Sequence, residues 1–128
     1  MEMLVLPGGM GGVNSMAQSS AATALIEKAN AMGCWLAAIC AAPTLLAKLG
    51  ILDGREAVCY PGLEKNMGAA KVRPDQEVVV DGRIVTSRAA GTAYEFGFAL
   101  IGLLTNPTKA EEVRHGIYYR TGKDAAAC

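Results

Sequence analysis

Apolar residues along this chain come in short continuous blocks, each stopped by glycine or proline. Met3–Leu6 is the first, ending at Pro7-Gly8-Gly9. Continuous rather than alternating apolarity is the pattern of a parallel strand covered on both faces. Gly8, Gly9, Gly11 and Gly12 then predict a loop free to bring backbone amides close to a ligand. A helix is expected to start with Ser19 or Ser20 as its cap. It should bury Leu25, Ile26, Ala29 and Met32 on one face and end at Gly33 in the left-handed C′ position. Trp35–Ile39 predicts a second buried strand that stops at Cys40. Pro43 suits the first turn of the next helix, which runs through Thr44, Leu45, Leu46 and Leu49 to Gly50.

Later in the chain, Ala57–Tyr60 reads as a strand cut by Pro61-Gly62. Two β-branched runs flank Asp81-Gly82, the favoured pair for a type I′ hairpin turn, so Val78–Val85 predicts a β-hairpin. Ala93–Leu104 predicts an apolar helix, and Asn106-Pro107 breaks it and caps a last helix to about Tyr119. Residues 121–128 read as a loose tail. Strand and helix alternate, which implies an α/β fold with a parallel sheet and helices on both faces. In such sheets ligands bind beyond the carboxyl ends of the strands. The Pro7-Gly8-Gly9 loop, Cys40 and the Thr86-Ser87-Arg88 turn are all expected at that edge.

Composition narrows the function classes. With 128 residues, 52% hydrophobic and 19% charged, the chain suits one globular domain and not a disordered tail. A formal net charge of zero, with scattered lysines and arginines, predicts no nucleic-acid-binding surface. No apolar stretch approaches the roughly 20 residues of a membrane span, and no signal-peptide pattern opens the chain. Cys34, Cys40, Cys59 and Cys128 form no CxxC pair and His115 is the one histidine, so no metal site is expected. These features predict a cytoplasmic protein with reduced thiols. The GGMGG run lacks GxGxxG spacing, and no acid ends the following strand, which argues against a dinucleotide site.

Cys40 is the candidate nucleophile. A sulfur at a helix N-terminus is favoured as thiolate by unpaired amides and the helix dipole. Ala38-Ile39-Cys40-Ala41-Ala42-Pro43 permits the tight turn and fixes where the helix starts. The amides of Gly8, Gly9 and Ala41 are expected to face a developing oxyanion. The ordinary alternative for any cysteine in an apolar chain is a small buried hydrophobe; Cys34 and Cys59, in or beside strands, take that reading, and Cys128 that of a tail thiol. His115 reads as a solvated helix residue far along the chain from Cys40. Arg88 could bind an anion or pair with a surface acid. Tyr94, Phe96 and Phe98 fit packing, and Glu111 and Glu112 an exposed first helical turn.

LVLPGG at 4–9, AICAAP at 38–43, CYPG at 59–62, VVVDGRIVTSR at 78–88 and GTAYEF at 91–96 together resemble the DJ-1/ThiJ/PfpI superfamily, in particular its bacterial branch. The resemblance runs from near Met3 to about Tyr119. It implies a flavodoxin-like sheet in which residues 1–120 form a partial domain, and a homodimer when full length. It also implies a redox-sensitive Cys40 as nucleophile, oxyanion amides from Gly9 and Ala41, and a pocket lined by Tyr60, Ser87 and Arg88. Three departures stand out. The family's front strand and its glutamate have no counterpart, and Glu2 lies on the wrong side of its strand to replace that acid. Tyr60 stands where some members carry histidine. Ala89 and Ala90 replace the usual glycine and proline. A central strand absent from the front is expected to leave two inner strands without partners. The chain therefore reads as a fragment or a wrongly assigned start.

The implied activity is cofactor-free, cysteine-dependent chemistry on a small aldehyde or glycated substrate, of the glyoxalase or deglycase type. The alternatives are an oxidative-stress sensor or redox-regulated chaperone acting through Cys40 oxidation, and a PfpI-like amidase or peptidase. The last is disfavoured by the lack of a histidine next to Cys40. Several superfamily members also carry an inherited name from thiazole phosphate biosynthesis.

Overall fold

The computed structural model describes residues 1–119; the tail expected at 121–128, with Cys128, lies outside them. The chain forms two compact units, residues 1–96 and the segment from Gly97. The first holds the sheet. Strand β1 (Met3–Leu6) leads into helices α1 (Met10–Gln18) and α2 (Ser20–Ala31), then strand β2 (Trp35–Ile39) and helix α3 (Pro43–Lys48). Two short strands, β3 (Glu56–Ala57) and β4 (Lys71–Val72), pair in parallel as a separate ribbon. The hairpin of β5 (Val78–Asp81) and β6 (Ile84–Ser87) follows, then α4 (Ala93–Leu104) and α5 (Pro107–Gly116).

The main sheet runs β1-β2-β6-β5, parallel except for the antiparallel β5–β6 pair. This is the α/β, flavodoxin-like arrangement expected from the alternating elements. Among the described residues β2 is paired on both sides, by β1 and β6, and β6 by β2 and β5; the apolar strand β1, with Val5 exposed, and β5 are the edges. Leu36 and Ala38 of β2 join Leu6, Ile84 and helix residues Val13, Ile26, Ala29, Leu45 and Leu46 in one core. On the other face Ala37 and Val85 are fully buried too. Coverage of both faces is why β2 is apolar at every position.

Several local expectations shift. Ser19 caps α2, its Oγ accepting from the Ala22 N–H at 3.1 Å, and Gly33 adopts φ 76° after the helix. Leu25 and Met32, however, are exposed, because the buried stripe of α2 is as narrow as Ile26 and Ala29. The glycine loop is shorter than expected: α1 begins at Met10 and includes Gly11 and Gly12, with Val13 buried and Met16 and Ala17 packed beside it. The hairpin turn is Gly82-Arg83 rather than Asp81-Gly82, since Asp81 pairs with Ile84. Positive φ falls on Gly82, at 61°, and not on Arg83, which is the pattern of a II′ turn. Asp81 stays in the strand because its carboxylate accepts the Glu56 N–H at 2.8 Å. The strand expected at Ala57–Tyr60 is confined to Glu56–Ala57, as the Val58 N–H donates to the Thr86 hydroxyl instead of a ladder. Asn106 caps α5 as expected, accepting from the Lys109 N–H at 2.9 Å. No helix among the described residues is long and apolar enough to cross a membrane.

Candidate active site

Three parallel strands deliver their carboxyl ends to one place. Leu6 lies opposite Ala38, and Ile39 opposite Ser87, so the segments after β1, β2 and β6 emerge together. Cys40 is the first residue beyond β2 and adopts φ 68°, a left-handed conformation that costs a residue with a Cβ about 1–2 kcal/mol. Backbone hydrogen bonds hold it there. The Cys40 N–H donates to the Ser87 carbonyl at 3.0 Å, and the Tyr60 N–H donates to the Cys40 carbonyl at 2.8 Å. The Ala42 N–H closes the turn on the Ile39 carbonyl at 3.2 Å. The Ala41 carbonyl accepts from the Thr44 N–H at 3.1 Å and from the Thr44 hydroxyl at 2.6 Å. Pro43 opens α3 immediately after.

Gly8 presses against this elbow. A Cβ built there would stand 2.6 Å from the Cys40 Cβ and 3.0 Å from the Ile39 carbonyl oxygen. Glycine is therefore required for close approach, whereas Gly9 is required for its φ of 97°. The amides of Gly8, Gly9 and Ala41 donate to no group among the described residues. Of the three, Gly8 lies against the sulfur, a Cβ built there standing 3.4 Å from the Cys40 Sγ. Cys40 itself is half-buried, and no carboxylate among the described residues is hydrogen-bonded to its sulfur.

The remaining candidates divide. Tyr60 is brought to the elbow through its amide, and its side chain is 48% exposed. Ser87 is brought there through its carbonyl alone. Its side chain is fully buried, the hydroxyl donating to the Glu77 carbonyl at 2.8 Å and sharing a 2.6 Å hydrogen bond with the Thr92 hydroxyl. Ser87 thus supports the turn instead of lining a pocket. The Arg88 guanidinium donates to the Pro74 carbonyl at 3.4 Å and its amide to the Glu77 carbonyl at 3.2 Å. His115 is exposed on α5. A cleft of about 460 Å³ is lined by Met10, Val13, Asn14, Thr44, Leu45 and Lys48 among others, but not by Cys40.

The residue that sequence reasoning passed over is Cys59. It is 3% exposed, and its thiol is pushed up to about 11, first by burial, then by the charges of Glu64 and Cys40. The Glu64 carboxylate is held nearby by the Gly62 N–H at 2.7 Å. The signal lay in the CYPG run, whose first residue reads as an ordinary strand cysteine until the fold sets it beside the elbow. Cys34, also buried, donates from Sγ to the Met1 carbonyl at 3.2 Å at the other end of β2.

Comparison with known proteins agrees with this geometry. Residues 1–103 match the DJ-1/PfpI family. Protein DJ-1beta of Drosophila melanogaster is 40% identical over 117 residues, covering 91% of this chain and 63% of its own length. Its crystal structure superimposes with a TM-score of 0.89 at 39% identity, over 94% of this chain and 65% of that one. A Caenorhabditis elegans relative, the glutathione-independent glyoxalase DJR-1.2, is 30% identical over 112 residues, 88% of this chain and 60% of its own length. The chain thus spans a little under two thirds of the length of these relatives. With the family pattern covering most of its length and the strand-end cysteine where the fold places it, the chain belongs to the DJ-1/PfpI family.

Proposed function

We propose that the protein acts on reactive carbonyl compounds through Cys40, by chemistry of the glyoxalase type. The observation that carries this reading is the left-handed backbone of Cys40 at the end of β2, with Gly8 packed against it. It supports the reading by setting a half-buried cysteine at the carboxyl edge of the sheet, with the Gly8, Gly9 and Ala41 amides unbonded among the described residues. The name of the DJR-1.2 relative supports the same chemistry. With a 2-oxoaldehyde such as methylglyoxal, the sulfur adds to the aldehyde carbon and forms a hemithioacetal. The new oxyanion is met by the amides of Gly9 and Ala41, with Gly8 beside them. The proton on that carbon leaves and returns to the neighbouring carbon, giving the thioester of a 2-hydroxy acid. Water then displaces the sulfur and releases lactate, so the net change is addition of one water. The resemblance implies that a glutamate side chain moves that proton between the two carbons. Deglycation of adducts with the same aldehydes, by the same first step, belongs to this proposal.

The test is lactate formation from methylglyoxal by the wild-type chain and by Cys40→Ser. Turnover abolished by the substitution supports the proposal; equal rates in the two proteins overturn it. The partial exposure of Cys40 favours a second reading, in which its oxidation is itself the signal. No lactate, together with selective peroxide oxidation of Cys40, selects that reading.

A further inference from the structure

Two thiols meet at this elbow, and the chemistry above uses one. The Tyr60 N–H that donates to the Cys40 carbonyl at 2.8 Å belongs to the peptide unit that begins at Cys59. Standard backbone dimensions then hold the Cα atoms of Cys40 and Cys59 within about 7.6 Å even if all links were collinear, and near about 6 Å at ordinary hydrogen-bond angles. Disulfides bridge Cα separations of about 4.4–6.8 Å. The charge of Cys40 is felt at the Cys59 thiol, an independent sign that the two groups are close. β3 ends at Ala57, so Cys59 is outside the ladder and is followed by Pro61 and by Gly62 at φ 101°. The segment can therefore adjust without breaking strand pairing.

We propose that Cys59 is the resolving thiol for Cys40, so that a peroxide converts the pair into an intramolecular Cys40–Cys59 disulfide and closes the site reversibly. The proposal rests on Cys40 being the reactive thiol of the proposed function. In the first step the Cys40 sulfur attacks a peroxide oxygen and the O–O bond breaks. Sulfur keeps one oxygen as sulfenic acid, and the other leaves as water or an alcohol. In the second step the Cys59 sulfur attacks the Cys40 sulfur, the S–O bond breaks, and the hydroxyl leaves with the Cys59 proton as water. The peroxide is reduced by two electrons and the dithiol oxidised by two.

The structure orders these events. Cys40 is half-buried and Cys59 almost wholly buried, so a solute oxidant meets Cys40 first. Cys59, held up to about 11, stays a thiol and does not compete. Once Cys40 has become a neutral sulfenic acid, one of the causes that hold Cys59 up is gone. Cys59 then ionises more readily just as an electrophilic sulfur stands beside it. Cys34 cannot take this part, because it precedes β2 and the five-residue strand separates it from Cys40 by about 17–20 Å.

The experiment treats the reduced chain with excess hydrogen peroxide, enough to carry a lone thiol to the sulfinic acid, then reads intact mass and peptide maps. The expected product is lighter by about 2 Da, joins the Cys40 and Cys59 peptides, and is restored by a thiol reductant. Cys34→Ser should behave as wild type. Cys59→Ser and Cys59→Ala, two variants in case one folds poorly, should instead gain about 32 Da at Cys40, as a sulfinic acid that thiols do not reverse. Oxidation of wild-type Cys40 to sulfinic acid with no Cys59 link overturns this inference and leaves the proposed function standing. Failure of Cys40 to react at all overturns the inference, and loss of Cys40-dependent lactate formation in the separate turnover assay removes the function.

Discussion

Replacing Gly8 by alanine puts the close approach at the elbow to a quantitative test. The added methyl carbon would lie 2.6 Å from the Cys40 Cβ and 3.0 Å from the Ile39 carbonyl oxygen. Carbon atoms attract best at about 3.5–4.0 Å, so the first contact is roughly an ångström too short. Neither neighbour is the tip of a flexible chain: one is bonded directly to a strained Cα, and the other is a β2 carbonyl. Relief needs backbone movement, and overpacking of this kind costs about 1–3 kcal/mol. The upper half of that range is expected, about 2–3 kcal/mol. Cys40→Gly removes the atom at 2.6 Å and leaves only the 3.0 Å contact, so in that background Gly8→Ala should cost about 1 kcal/mol. The glycine also relaxes the left-handed φ, offsetting the flexibility it adds to the unfolded chain. A double-mutant cycle by urea denaturation should therefore give a coupling of at least about 1 kcal/mol. Each kcal/mol corresponds to a few degrees in melting temperature for a chain of this size. Additive effects, within about 0.5 kcal/mol, would refute the claim that Gly8 and Cys40 are in contact.

Two other perturbations probe the surroundings. Cys59 is raised from 9.0 to about 11, so between those values the native state holds a proton that the unfolded chain has lost, and stability falls as pH rises. Denaturation midpoints should be insensitive to this group below pH 9 and decline through pH 11, by at most about 2–3 kcal/mol in total; Cys59→Ala should remove that decline, and an unchanged alkaline limb in the variant would refute it. Ser87→Ala deletes the bonds to the Glu77 carbonyl and the Thr92 hydroxyl at a fully buried position, so it should cost about 1–3 kcal/mol. Arg88→Ala should stay within about 0.5 kcal/mol; a larger loss at Arg88 than at Ser87, measured by thermal melting, would reverse the assignment of these roles.

The sequence disclosed the elements whose pattern is set locally and concealed those set by tertiary contact. Met3–Leu6, Trp35–Ile39 and Ala93–Leu104 occupy their predicted bounds, because continuous apolar runs between breakers leave no other register. Helix α1 was hidden by its own glycines: Gly11 and Gly12 are poor helix formers, and packing around Val13, Met16 and Ala17 overrides that preference. The β3–β4 ribbon is two residues per strand, too short for any periodicity to register. At the site, Cys40 was legible because Ala41, Ala42 and Pro43 announce a strand-to-helix turn. Ser87 was legible in position but not in role, since sequence does not say which way a hydroxyl faces. Cys59 was not legible, because its meaning depends on a hydrogen bond from Tyr60 to a residue twenty positions earlier.

The conformation of Cys40 does not depend on its side chain, and this decides how its substitutions are to be interpreted. A left-handed residue with a Cβ costs about 1–2 kcal/mol, yet the backbone is fixed on both sides. Ser87 and Tyr60 hold its amide and carbonyl, and Ile39, Ala41, Ala42 and Thr44 hold the turn that follows. At about 1 kcal/mol net for each hydrogen bond, these contacts outweigh the strain, and none of them involves sulfur. Serine at position 40 keeps every one of them. A loss of activity in Cys40→Ser therefore reports on the chemistry of the sulfur and not on collapse of the elbow, whereas damage at Gly8 or Ser87 moves the sulfur while leaving its chemistry unchanged.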